Sequence, residues 1–194
     1  LLLSLQDFFL FNSLQLKKIN IRGNMKSYVV FLSLAVLLLN GCGKSEKEQF
    51  EEANRFVQEK KYTEAISAYE KVGQEFSDGV YGAKSFYEIA KLYQAEVVTG
   101  LDQKTSQEKA VEYYQKVFLK YPKDESAPAA LFMAGFIQAN NLGKYNEATV
   151  TYKKFLEVYP KSEFADDAKA ELNNMGLSPE EIIAKHQTQF TAKK

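Results

Sequence analysis

Three segments of this chain share one spelling. Tyr62-Thr-Glu-Ala65-Ile-Ser-Ala-Tyr69-Glu-Lys-Val72 is followed by Glu108-Lys-Ala110-Val-Glu-Tyr-Tyr114-Gln-Lys-Val117 and by Tyr145-Asn-Glu-Ala148-Thr-Val-Thr-Tyr152-Lys-Lys-Phe155. Ala65 and Ala110 lie 45 residues apart, Ala110 and Ala148 38. Within each copy the apolar residues fall at steps of three and four, which lines them along one face of a helix. The third copy continues through Leu156 and Tyr159 to Pro160, where a helix must stop because proline cannot supply the next backbone donor. One such helix cannot bury its stripe alone. Recurrence at this interval predicts a helix pair as the repeating unit, with neighbouring pairs covering each other's faces in an all-α, antiparallel helix-pair solenoid.

The stretches between the copies supply the partner helices. Ser45 and Glu48 form a capping box that opens a helix carrying Phe50, Ala53, Asn54 and Val57. Lys60-Lys61 is its turn, and the first copy ends near Ser77-Asp78-Gly79. A third helix runs from about Tyr81 to Glu96, and Val97–Lys104 is a loop without periodicity that lengthens the second repeat. Thr105 and Glu108 read as a second capping box, and Pro122 closes that helix. Pro128 suits the first turn of a fifth helix, which carries Leu131, Phe132, Gly135 and Phe136 and ends near Asn140-Asn141. After the third copy, Phe164 to Met175 makes a seventh helix closed by Gly176. Ser178-Pro179-Glu180-Glu181 opens an eighth, with cap, first-turn proline and capping-box residue in order.

This arrangement resembles the tetratricopeptide repeat. Its small first-helix residue matches Ala53, Ala90 and Gly135, and its second-helix alanine matches Ala65, Ala110 and Ala148. Its aromatic matches Tyr69, Tyr114 and Tyr152, and its closing proline matches Pro122 and Pro160, with Ser77 standing in the first copy. The likeness covers about residues 46–160, with a partial unit after it; the repeat domain is expected over 46–176, with 177–194 as a terminal helix and tail. It implies that a peptide or protein partner lies along the first helices. Family groove positions map onto Asn54 and Gln58, onto Tyr87, Lys91 and Gln94, and onto Phe136 and Asn140.

Charge divides the chain before any of these helices begins. Residues 1–41 carry four basic residues against one acidic, a net +3, whereas the rest carries 21 basic and 24 acidic, a net −3. The first methionine is Met25, followed by Lys26 and an apolar run from Tyr28 to Leu39. That run is shorter than the ~20 residues a spanning helix needs and suits a signal-peptide core. Translation is expected to begin at Met25, with residues 1–24 an over-extension of the reading frame, and 25–41 is the expected signal peptide.

Leu39-Asn40-Gly41-Cys42 resembles the bacterial lipobox, in which the cysteine thiol takes a diacylglyceryl group and becomes the new N-terminus. Cys42 is the sole cysteine of the chain. Two buried acyl chains anchor stably because each CH₂ contributes ~0.8 kcal/mol. Residues 42–45 would then be the lipidated cysteine and its tether. Gly43 rather than aspartate follows the cysteine; by resemblance to enterobacterial lipoproteins this implies the outer membrane, with the repeats on the periplasmic face.

No catalytic or metal-binding residue is expected. His186 is the only histidine, and no phosphate-cradling glycine loop or nucleophile elbow occurs. No cofactor is expected beyond the covalent lipid on Cys42. The acidic repeat region argues against nucleic acid. Carboxylates beside lysines, as in Glu70-Lys71 and Glu112 with Lys116, read as solvated faces with pairing across one helical turn.

The lipobox, the repeats and the Tyr159-Pro-Lys-Ser-Glu-Phe-Ala165 ending are together similar to BamD-type outer-membrane assembly lipoproteins. That resemblance implies a scaffold gripping a partner such as a β-barrel assembly protein. Alternatives are a Tol–Pal or cell-division-associated periplasmic repeat protein, or a general envelope adaptor. An enzyme using the solenoid as a platform is a further class, which no residue pattern supports.

Overall fold

The computed structural model describes residues 44–192, with side chains described to residue 185 and at 187. The lipobox (Leu39, Asn40, Gly41, Cys42), the expected signal peptide and the His186 side chain lie outside these described residues. Eight α-helices follow one another: α1 (Glu46–Gln58), α2 (Tyr62–Glu75), α3 (Val80–Gln94), α4 (Gln103–Lys120), α5 (Ala127–Phe136), α6 (Tyr145–Val158), α7 (Ala165–Asn174) and α8 (Pro179–Ala192). No strand occurs among the described residues. From α1 to α7 each helix packs against the next in sequence, and α1 also touches α3. The fold is the tetratricopeptide-like solenoid that the repeats predict.

The repeat is written into the backbone as well as into the residues. The second helices end at Phe76, Tyr121 and Tyr159 with nearly identical torsions, φ −119, −130 and −122° and ψ 50, 55 and 52°. After each, the carbonyl of that aromatic accepts a backbone N–H three residues on, at 2.9, 3.0 and 3.0 Å. The conformation suits a residue before proline, whose ring disfavours helical torsions in its predecessor. Phe76 adopts it before Ser77, so the turn does not depend on the proline. The entries to α2 and α6 match too, at Lys61 and Lys144.

Small residues sit where helices cross. Ala53, Ala65, Ala90, Ala110 and Ala148 are fully buried, and Tyr69, Tyr114 and Tyr152 lie buried beside them. A Cβ on Gly135 would stand 3.0–3.1 Å from the Tyr152 ring. The buried residues form two clusters. One spans α1 to α5 and the neighbourhood of Ile137, and the other gathers Leu131, Tyr152, Phe155 and Ala168 from α5, α6 and α7. α5 contributes to both, which is why its sequence, Ala-Pro-Ala-Ala-Leu-Phe-Met-Ala-Gly-Phe, is apolar on all sides rather than striped.

Several local expectations are met. Ser45 and Glu48 make the reciprocal capping box, and Ser178 and Glu181 make the second, at 2.7 and 3.2 Å. Gly143 and Gly176 hold φ of +63 and +75°, as chain reversals after a helix require.

Four local features differ from the sequence reading. The cap of α4 is Asp102, whose Oδ1 accepts the Thr105 N–H at 2.8 Å, so Thr105 is the recipient and not the cap. Glu108 is thereby freed to meet Lys144 at 2.7 Å. α5 does not stop at its end but widens into a π-helical turn over Ile137–Asn141. Lys116 is not paired with Glu112; its ammonium lies 4.2 Å from the Phe86 ring centroid and 5.0 Å from that of Tyr113. Tyr145, placed on the apolar stripe by its spacing, is 49% exposed, because α6 has only begun to meet its neighbours there.

Candidate functional site

The seven residues mapped onto a partner groove stand on α1, α3 and the α5–π segment. Helical spacing gives Asn54 and Gln58 one face of α1, and Tyr87, Lys91 and Gln94 one face of α3. The structure divides them by what already holds them.

Two are anchored inward. The Tyr69 hydroxyl donates to Asn54 Oδ1 at 2.5 Å, and the Tyr114 hydroxyl donates to Gln94 Oε1 at 2.7 Å. The repeat tyrosines of α2 and α4 are thus each satisfied by an amide on the partner first helix. Tyr87 stands edge-on to Tyr114, with centroids 5.3 Å apart, so Tyr87, Gln94 and Tyr114 meet. Burial raises the pKa of Tyr69, Tyr87 and Tyr114, with Glu88 and then Glu51 adding to it for Tyr69, and Tyr87 and then Glu88 for Tyr114. These phenols are therefore neutral donors across the physiological range.

Two point outward. Gln58 is exposed at the end of α1. Lys91 is exposed, its ammonium 2.9 Å from both carboxylate oxygens of Glu88 one turn back. An exposed pair of this kind is easily exchanged for an external carboxylate, since it is worth at most ~1 kcal/mol.

Phe136 and Asn140 belong to the widened turn. Phe136 is half-buried, and Asn140 Nδ2 donates back to the Phe136 carbonyl at 3.2 Å. The π turn swings Asn140 out to solvent, beside Tyr145, Glu171 and Asn174 at the rim of a cavity. The residues on α1 and α3 and those on α5 are therefore not one continuous set of contacts. The first five flank the polar seam made by Tyr69, Glu88 and Tyr114; the last two mark a separate place.

Sequence reasoning missed several polar residues that shape these surfaces. Glu46 reaches from the first turn of α1 to accept the Tyr81 N–H, filling the space above Gly79 at the start of α3. A negative charge at a helix start is favoured there, since the unpaired N–H groups point towards it. Glu70 accepts the Tyr113 hydroxyl across α2 and α4. A pattern search could not isolate either acid, because each is one of many on a polar face.

Among the described residues no group of three His, Cys, Asp or Glu is placed to hold a metal ion, and no helix is long and apolar enough to cross a membrane. Residues 43–191 match the model of a protein family described as YfiO, outer membrane lipoprotein. No curated protein matches the chain.

Proposed function

From the chain's membership of the YfiO family of outer membrane lipoproteins, we propose that it is a lipid-anchored scaffold on the periplasmic face of the outer membrane. It would hold protein partners through its repeats in the assembly of outer-membrane β-barrel proteins. The family match across residues 43–191 carries this reading. The Leu39-Asn40-Gly41-Cys42 sequence supports the anchor, because a single thiol behind a dozen apolar residues suits diacylation.

On this reading Gln58, Tyr87 and Lys91 are the contact residues of the first two repeats. They combine an exposed amide, an aromatic edge and a cation on faces that α2 and α4 hold rigid from behind. Asn54 and Gln94 act indirectly, by fixing Tyr69 and Tyr114. Phe136 and Asn140 serve a contact of their own at the third repeat.

Crosslinking in native envelope followed by capture of the chain tests the assignment. Recovery of a large outer-membrane β-barrel protein is the expected result, reduced by Lys91→Glu. Recovery of Tol proteins or peptidoglycan synthases in its place would overturn it. The anchor is tested separately: a Cys42→Ala form should leave the membrane on carbonate washing, and its retention would refute lipidation.

A further inference from the structure

The π turn at the end of α5 opens a cavity of about 270 Å³ against the ends of α7 and the start of α8. Asn140, Tyr145, Glu171, Asn174, Met175 and Leu177 line it. Small-molecule sites are commonly ~300–1,000 Å³, so this one is sized for a single long side chain rather than a cofactor.

Its polar chemistry is that of an acceptor. Glu171 is half-buried, and its carboxylate makes no ion pair or hydrogen bond with any described residue. Asn140 spends its amide N–H on the Phe136 carbonyl, which leaves its side-chain oxygen unclaimed. The chain's own nearby cations are engaged elsewhere: Lys144 with Glu108, Lys169 with Asp166, and Lys185 with the Asn173 carbonyl. Among the described residues no basic one lines the cavity.

A second observation lies behind the wall. The repeat tyrosines Tyr69 and Tyr114 each find an amide acceptor, whereas the Tyr152 hydroxyl, on a fully buried residue, has none. Glu171 is the charge that acts on it. The third repeat's buried amide, Gln138, accepts instead from the Thr151 hydroxyl, at 2.6 Å, and an unpaired carboxylate stands on the neighbouring helix. A half-buried carboxylate without a partner is unfavourable, and a cation supplied from outside removes the penalty.

We propose that this cavity receives a lysine or arginine side chain from a partner polypeptide. The cationic head meets Glu171 and Asn140 Oδ1, and the methylene stem lies along Tyr145, Met175 and Leu177. Long basic side chains bury their stems on apolar surface in this way, and the exposed Tyr145 ring adds a face attractive to a cation. Anionic segments are rejected by Glu171. The inference rests on the scaffold reading above and names the chemistry of one contact within it.

Titrating the full-length, ¹⁵N-labelled chain in neutral detergent with capped Ala-Arg-Ala, Ala-Lys-Ala and Ala-Ala-Ala peptides tests it without any natural partner. Saturable shifts of the Asn140, Glu171 and Gly176 amides with the Arg or Lys peptide are expected, and none with the Ala peptide. Glu171→Gln, isosteric and on a helix surface, should weaken that binding about fivefold without lowering the thermal melt. Equal shifts with the Ala peptide, or indifference to Glu171→Gln, would overturn the proposal. So would guanidinium chloride or spermidine binding as tightly as the peptides, which would make the site one for free cations. Because no capture step is involved, the cavity can fail while the scaffold assignment stands, and the reverse.

Discussion

The Tyr159 hydroxyl donates to the Pro122 carbonyl at 2.7 Å, so the closing turn of the third repeat rests on the closing turn of the second. The same tyrosine packs edge-on to Phe118, with centroids 6.0 Å apart. Hydrogen bond and ring contact together fix the spacing between α4 and α6 at the end where both helices stop. Tyr159→Phe keeps the ring and removes only the bond. The expected loss is about 0.5–1.5 kcal/mol in urea denaturation, the net worth of one such bond. A Tyr159→Phe protein as stable as the parent would show that ring packing alone sets the spacing.

The three repeat tyrosines provide an internal comparison. Tyr69→Phe leaves the half-buried Asn54 oxygen without its donor and should cost about 1 kcal/mol. Tyr152→Phe removes a buried hydroxyl that has no partner, and should be neutral or stabilising. Denaturation midpoints of the two variants, measured side by side, should move apart. Equal losses would mean that Tyr152 has an acceptor after all.

Gly73 faces Phe86 across α2 and α3, where an added Cβ would come within 2.5 Å of Cζ. In an exposed helix Gly→Ala gains about 1 kcal/mol from backbone entropy. Here the ring must shift inside a filled core, which costs about 1–3 kcal/mol and outweighs that gain. Gly73→Ala should therefore lower the melting temperature, and Gly73→Ala with Phe86→Leu should recover part of the loss.

Alkali should unfold the domain. Burial raises the pKa of Tyr69, Tyr113, Tyr114 and Tyr152, with the bond to Glu70 adding to it for Tyr113. In the unfolded chain these phenols ionise near pH 10. Above that value the unfolded state holds fewer protons than the folded one, so stability falls as pH rises. Their contribution is complete below about pH 10 and is lost progressively above it. Phenolate absorbance should rise in step with loss of helical ellipticity. Ionisation of all tyrosines well before unfolding would contradict the burial.

How much of this could be read from the chain follows from the distance over which each feature is encoded. Helix starts at Ser45 and Ser178, and the packing roles of Ala65, Ala110 and Ala148, are local patterns and were legible. Thr105 was misread because Asp102 and Thr105 both offer a side-chain acceptor within one turn, and only the torsions decide between them. The π turn inserts a residue without any compositional mark. Lys116 was legible as polar but not as lying over Phe86, since the ring comes from another helix thirty residues earlier. The cavity beside Glu171 depends on three helix ends that no spacing rule joins. On the groove, sequence located Lys91 and Gln58 as outward residues but could not tell that Asn54 and Gln94 were already bound.

The stacking of each helix from α1 to α7 on its sequence neighbour also sets how the domain comes to exist. Nearly all of its contacts close short loops, so little chain entropy has to be surrendered before packing begins to reward it. A chain emerging from its N-terminus could consolidate α1 with α2 before α7 had formed. In reverse, unravelling can start at either end and stop at a repeat boundary. Proteolysis of the folded protein should therefore trim it in steps of one helix pair.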